Sequence, residues 1–168
     1  MKRSVILAAT LIALPVTADA RFFQANLDGY QEVPSVATRA QGLFTAHASS
    51  ERTEVEYTLS YSGMQAAVTQ AHIHFAQIAV NGPIVIWLCG SATNPGPAGT
   101  PACPQGTGTI SGTFRAADVL ASPATQQLAA GQISAFIEAM RANSAYVNVH
   151  TTASPGGEIR GQVLGWGR

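Results

Sequence analysis

The sequence predicts an all-β domain: an antiparallel Greek-key sandwich or barrel with one short helical crossover. Three observations carry this. Short segments alternating polar and apolar residues recur along most of the chain, separated by Gly, Pro, Asn and Asp turn signals. A single stretch has helical periodicity instead. The last two strand-like segments are joined by Ser154-Pro155-Gly156-Gly157, a turn signal that reads as a hairpin.

Residues 1–20 stand outside the domain. Lys2 and Arg3 form a basic start, residues 5–16 are mostly apolar, and Ala18-Asp19-Ala20 is an A-x-A cleavage pattern. Together they read as a secretory signal peptide. The apolar run is too short for a spanning helix, and nothing later resembles a membrane segment. The mature domain is expected over 21–168, exported to a periplasm or beyond the cell. Its length suits one domain with a full core.

The strands follow in order. Residues 22–27 form the first, and Asp28-Gly29 with Glu32-Val33-Pro34 make an irregular connection. Residues 40–49 form the second. Residues 54–61 alternate cleanly, with Val55, Tyr57, Leu59 and Tyr61 on one face. Residues 68–76 carry His72 and His74. Asn81-Gly82 turns the chain into an apolar strand at 83–88, and 106–114 is a strand rich in Thr and Gly. Pro123 and Gly131 then punctuate a region with a different period. Ile133, Phe136, Ile137 and Met140 follow i, i+3, i+4, i+7 spacing, which predicts an amphipathic helix near 132–142. Residues 145–151 carry His150, and 158–164 close the domain.

Net charge is zero and only 11% of residues are charged, with no basic stripe, which argues against a nucleic-acid partner. Cys89 and Cys103 bracket a loop rich in Gly, Pro, Ala and Thr. Export makes a disulfide the default reading, worth on the order of 3 kcal/mol in the chain-entropy description. Metal ligation by the pair is the rival, although the spacing is not C-x-x-C.

Candidate chemistry centres on the histidines. In Gln70-Ala71-His72-Ile73-His74-Phe75 the two histidines share a strand face, about 7 Å apart, while Ile73 and Phe75 point the other way. His150, in Asn148-Val149-His150-Thr151, lies on a second alternating strand. If these strands are neighbours, three imidazoles converge on one metal ion. Neutral imidazoles suit copper or zinc, with copper(II) favoured by intrinsic affinity. Three protein nitrogens leave an open coordination position. The lack of sulfur ligands argues against tight copper(I) storage.

The closing hairpin refines this picture. Burying Val147 and Val149 with Ile159 and Val163 pairs odd residues with odd. His150 then shares a face with Glu158, Arg160 and Gln162. Glu158 or Arg160 is expected beside it, and a carboxylate on the distal imidazole nitrogen is the usual supporting device. Glu158 and Arg160 could also pair with each other across the hairpin. Glu32 is expected to cap a loop or to bond a histidine. His47 is read as a surface strand residue, Met64 as a turn residue rather than a ligand, and Asp118 as a turn cap. No G-x-S-x-G elbow is present, and the carboxylates are sparse and scattered. Nucleophilic or paired-carboxylate hydrolysis therefore has little support.

Several of these segments resemble the CHRD (chordin-type) domain, in its bacterial stand-alone form. They are Gly29-Tyr30-Gln31-Glu32-Val33-Pro34, Ala71-His72-Ile73-His74, Asn81-Gly82-Pro83-Ile84-Val85, Tyr146-Val147-Asn148-Val149-His150-Thr151 and Pro155-Gly156-Gly157-Glu158-Ile159-Arg160-Gly161-Gln162. The resemblance implies an extracellular or periplasmic all-β module, and it implies no substrate. A weaker resemblance is to Cu,Zn superoxide dismutase, with its H-x-H strand, late copper histidine, disulfide and late arginine. The connection between Ile78 and Gly106 lacks that family's zinc-site histidines and aspartate, and fold analogy does not carry function. The expected function is a non-enzymatic exported module binding copper or zinc through His72, His74 and His150. The alternatives are a metal-free extracytoplasmic interaction or structural module with a protein partner, and a superoxide dismutase-like copper redox enzyme.

Overall fold

The computed structural model describes residues 21–166; the expected signal peptide at 1–20 lies outside the described residues. The described chain forms β1 (Phe22–Asp28), β2 (Gln41–Ala48), β3 (Glu54–Ser62), β4 (Val68–Phe75), β5 (Ile84–Cys89), β6 (Gly108–Arg115), α1 (Ile133–Arg141), β7 (Ala145–Thr151), β8 (Ile159–Gln162) and β9 (Leu164–Trp166). The strands make one sheet in the order β5-β4-β7-β8-β1-β2-β3-β6, with β9 added beside β1. Its ladders are antiparallel.

The sheet curls until its ends nearly meet. Tyr57 on β3 donates its hydroxyl to the Leu88 carbonyl on β5, at 3.3 Å, across the gap beside β6. Consecutive strands β3 and β4, and again β6 and β7, are not neighbours, which is the Greek-key pattern. The β6–β7 crossover carries α1. Its Ile133, Phe136, Ile137 and Met140 are all buried, so the predicted stripe is the face that packs on the core. Val55, Tyr57, Leu59 and Tyr61 of β3 point into the same core. Cys89 and Cys103 form a disulfide with Cα atoms 5.0 Å apart, which ties β5 to the loop before β6.

The closing segment differs from the single strand expected. It breaks at buried Val163 into β8 and β9. β8 is only four residues long and meets β1 at Asp28↔Arg160. The other end of β1 is thereby left for β9, in the register Phe22↔Trp166 and Gln24↔Leu164. Asp118 does hold a turn: its carboxylate accepts the Arg115 backbone N–H at 2.8 Å.

One wall of the barrel positions the site. Every residue of β7 is buried, on both faces. Val147 and Val149 enter the core, whereas Tyr146, Asn148 and His150 face outward into a covering of loops. The segments around Glu32, Asn81 and Pro155 form this roof. Arg160 fastens it, donating to the Asn81 side chain at 2.9 Å and to the Val80 carbonyl at 2.6 Å. Asn81 in turn donates to the Val33 carbonyl at 3.1 Å, linking two roof loops. Among the described residues no helix is long and apolar enough to cross a membrane.

Candidate metal centre

The outward face of β4, β7 and β8 is a grid set by register. His72 lies opposite Asn148, and His74 opposite Tyr146. Asn148 faces Arg160, and Tyr146 faces Gln162, on the other side. His150 continues the alternation of Tyr146 and Asn148. The strand period of two therefore places the three histidines on one patch. Their ring centroids are 5.5 Å (His72–His74), 5.0 Å (His72–His150) and 6.5 Å (His74–His150) apart. One nitrogen from each ring lies within 4.8 Å of the others, so the group could hold a metal ion.

The rings are dry: His72 is 0% exposed, His74 7% and His150 6%. Burial disfavours the imidazolium form. It pushes the His72 pKa down to about 2, aided by the neighbouring His150 and His74. His74 falls to about 4, again chiefly through burial, although its bond to Gly82 acts the other way. Burial also lowers His150, against its bond to Pro155. All three are neutral at pH 7, the protonation state a metal requires.

Backbone carbonyls set the tautomers. His74 Nδ1–H donates to the Gly82 carbonyl, and His150 Nδ1–H to the Pro155 carbonyl, each at 2.9 Å. A carbonyl oxygen can only accept, so the proton sits on Nδ1 and the lone pair on Nε2. His74 Nε2 and both nitrogens of His72 are buried without a hydrogen-bond partner. Buried polar atoms are rarely left so. A cation between the rings would satisfy His74 Nε2 and the lone-pair nitrogen of His72.

Aromatic contacts hold the rings. Tyr146 stacks on His74 at 4.6 Å with the planes 2° from parallel, and the Arg160 guanidinium lies 3.4 Å from the Tyr146 ring centre. The Gly82 N–H donates to the Tyr146 hydroxyl at 3.3 Å, so one turn residue contacts both members of the stack. A side chain at Gly82 would collide with the Phe75 carbonyl, at 2.3 Å. Trp87 meets His72 edge-on at 4.3 Å.

Glu158 is not on His150, contrary to the expectation from the hairpin. Its backbone N–H donates to Val149 O while Ile159 is the register partner of Val149. Two residues thus stand against one, a bulge that turns Glu158 to another side. Its carboxylate accepts from Thr38 Oγ1, Thr151 Oγ1 and the Gln65 backbone N–H. It makes no pair with Arg160, whose guanidinium donates instead to Asn81 and Val80. The carboxylate expected behind His150 is replaced by the Pro155 carbonyl.

Glu32 is 6% exposed, and burial raises its pKa to about 7; the Arg160 charge, the Val33 amide and Asn148 pull the other way. A cavity of about 440 Å³ reaches Glu32 and Arg160 from outside, lined also by Tyr30, Val33 and Ile78; none of the three histidines lines it. His47 lies on β2, stacked on Phe22 at 4.6 Å. Met64 packs against the core. Asn148, Tyr146, Gly82 and Pro155 were not singled out by sequence. The Tyr146-Asn148-His150 alternation held the signal for two of them.

Fold and site together define an antiparallel Greek-key β barrel with a buried three-histidine cluster on one covered wall. The CHRD domain family matches residues 23–163, and the chain belongs to that family. No curated protein and no solved structure matches the chain.

Proposed function

We propose that the chain is an exported, non-enzymatic CHRD-domain protein that holds one copper or zinc ion through His72, His74 and His150. One observation carries this reading: three neutral, buried imidazoles converge, and three of their nitrogens lack any partner. Leaving such groups unpaired costs about 1–3 kcal/mol each, which a bound cation would recover at the lone-pair nitrogens of His72 and His74. The nitrogen-only histidine set suits copper(II) and zinc. The basic and apolar start of the chain, with its A-x-A site, supports export. The disulfide fits an oxidising compartment.

Calorimetric titration of the metal-stripped protein with copper(II) and with zinc tests the reading. A stoichiometric site, with nitrogen hyperfine structure in the copper EPR spectrum, is the expected result. Binding no tighter than micromolar would overturn it. The alternative, a metal-free interaction module, draws on a different observation: Phe22, Leu43, Leu164 and Trp166 are exposed apolar residues on β1, β2 and β9. A protein partner would be sought against that face.

A further inference from the structure

Asn148 occupies the centre of the covered face. It is buried, with His72 opposite on one side and Arg160 on the other. Its Oδ1 lies 3.0 Å from His150 Nε2. Since the Nδ1 proton goes to the Pro155 carbonyl, the neutral ring presents a lone pair at Nε2. An amide oxygen and an imidazole lone pair therefore face each other with no proton between them.

Turning the amide over would relieve that contact, but it would direct Oδ1 toward Glu32. A methyl group at Gly157 would meet Glu32 Oε1 at 2.2 Å and Asn148 Nδ2 at 2.9 Å, so carboxylate and amide nitrogen border one small space. In its ionised form Glu32 accepts from an NH₂ group and repels an amide oxygen. Asn148 lowers the Glu32 pKa, as a donor beside it does, so the nitrogen end faces Glu32 and the oxygen is left toward the histidines. Gly157, with φ of +125° and no side chain, makes room for this arrangement.

Two lone pairs aimed at one region are a cation's environment. Donors at zinc-like distances around a tetrahedral ion lie roughly 3.3 Å apart, close to the 3.0 Å between Asn148 Oδ1 and His150 Nε2. We propose that Asn148 Oδ1 is an oxygen donor to the ion held by His72, His74 and His150, that Glu32 orients it, and that it biases the site toward divalent ions over copper(I). This rests on the three-histidine reading and adds to it a residue and a selectivity. An amide oxygen is a harder donor than sulfur, so it favours borderline copper(II) and zinc over copper(I), which prefers soft ligands.

The test measures zinc(II), copper(II) and copper(I) affinities of the wild type, Asn148→Ala, Asn148→Asp and Glu32→Gln, with copper(I) read by chelator competition under reducing conditions. Asn148→Ala should weaken zinc(II) and copper(II) by ~10–100-fold while copper(I) changes less than ~threefold. Asn148→Asp, which keeps an oxygen donor and adds charge, should bind the divalent ions at least as tightly as wild type. Glu32→Gln should lose divalent affinity by ~10-fold, since a glutamine can accept the amide in either orientation. Unchanged divalent affinity in Asn148→Ala, or an equal loss for all three ions, would overturn the donor role. Should the alanine variant not fold, the isosteric Asn148→Asp decides: a ~10-fold loss of divalent affinity there overturns it. Wild-type protein that binds none of the ions would overturn the three-histidine reading, and this inference with it.

Discussion

The barrel has two kinds of wall. Along β3, burial alternates residue by residue, as in a sheet with one face on the core and one toward water. Along β7 every residue is buried. Both strands alternate in sequence, so the difference lies in what covers the outer face. His47, on the open wall, stacks on Phe22 at the surface. His150, on the roofed wall, sits in a desolvated cluster with its Nδ1 on a backbone carbonyl. A roof over polar side chains gives up hydration that the open wall keeps, and buried groups left unpaired call for an explanation.

The comparison can be broken most sharply at the histidines. His150→Ala should lose metal affinity by more than ~100-fold, because an inner ligand matters more than its supports, while His47→Ala should leave it unchanged. Circular dichroism on both variants, beside the titrations, checks that the fold persists. Equal affinity in the two would erase the distinction between the walls.

Arginines give the next contrast. Arg160→Met removes a buried cation from Asn81, Val80 and the Tyr146 ring, and leaves Glu32 without its neighbouring charge. A loss of about 3 kcal/mol in urea unfolding is expected. Arg115 pairs with Glu54 at 2.6 Å on the open wall, 58% and 36% exposed. Arg115→Ala should cost less than about 1 kcal/mol.

Glycines sharpen it further. At Gly157 a methyl group would strike Glu32 at 2.2 Å and the backbone φ is +125°. Gly157→Ala should destabilise by about 2 kcal/mol. Gly106 also has positive φ but nothing within 4 Å, so Gly106→Ala should cost about 1 kcal/mol.

The smallest effect is in pH. Glu32 has its folded pKa raised to about 7 from 4.5. Its contribution to stability is therefore full below pH 4.5 and is lost as pH rises through 7. The stability difference between wild type and Glu32→Gln should drift against the wild type across that window. A difference flat with pH would show that the carboxylate is not buried in the way described.

Much of the fold was legible because its signals are local. The Val55–Tyr61 alternation and the Ile133–Met140 stripe need no tertiary information, and both faces are buried as their periods require. The odd-with-odd pairing of the hairpin was legible, and Val149↔Ile159 follows it. Beyond it, one extra residue turned Glu158 away, since a shift of one reverses every side chain that follows. β9 could not be seen: Leu164-Gly165-Trp166 is too short to show a period, and its partner β1 lies at the other end of the chain. At the candidate site, the pattern brought His72, His74 and His150 to one strand face apiece, and the ladder between β4 and β7 brought those faces together. The roof left no trace in the pattern, because its loops are aperiodic and are fixed by bonds spanning some 80 residues, such as Arg160 to Val80.

The clasp of Arg160, Asn81 and Val33 has a consequence for time as well as for structure. An ion held beneath it, as proposed, would leave only when the loops lift, so its escape would be timed by the protein and not by the ligand bonds alone. A strong chelator in excess would then extract the ion at a rate that stops rising with chelator concentration. Cutting the clasp with Asn81→Ala would turn that slow, saturating release into a fast one.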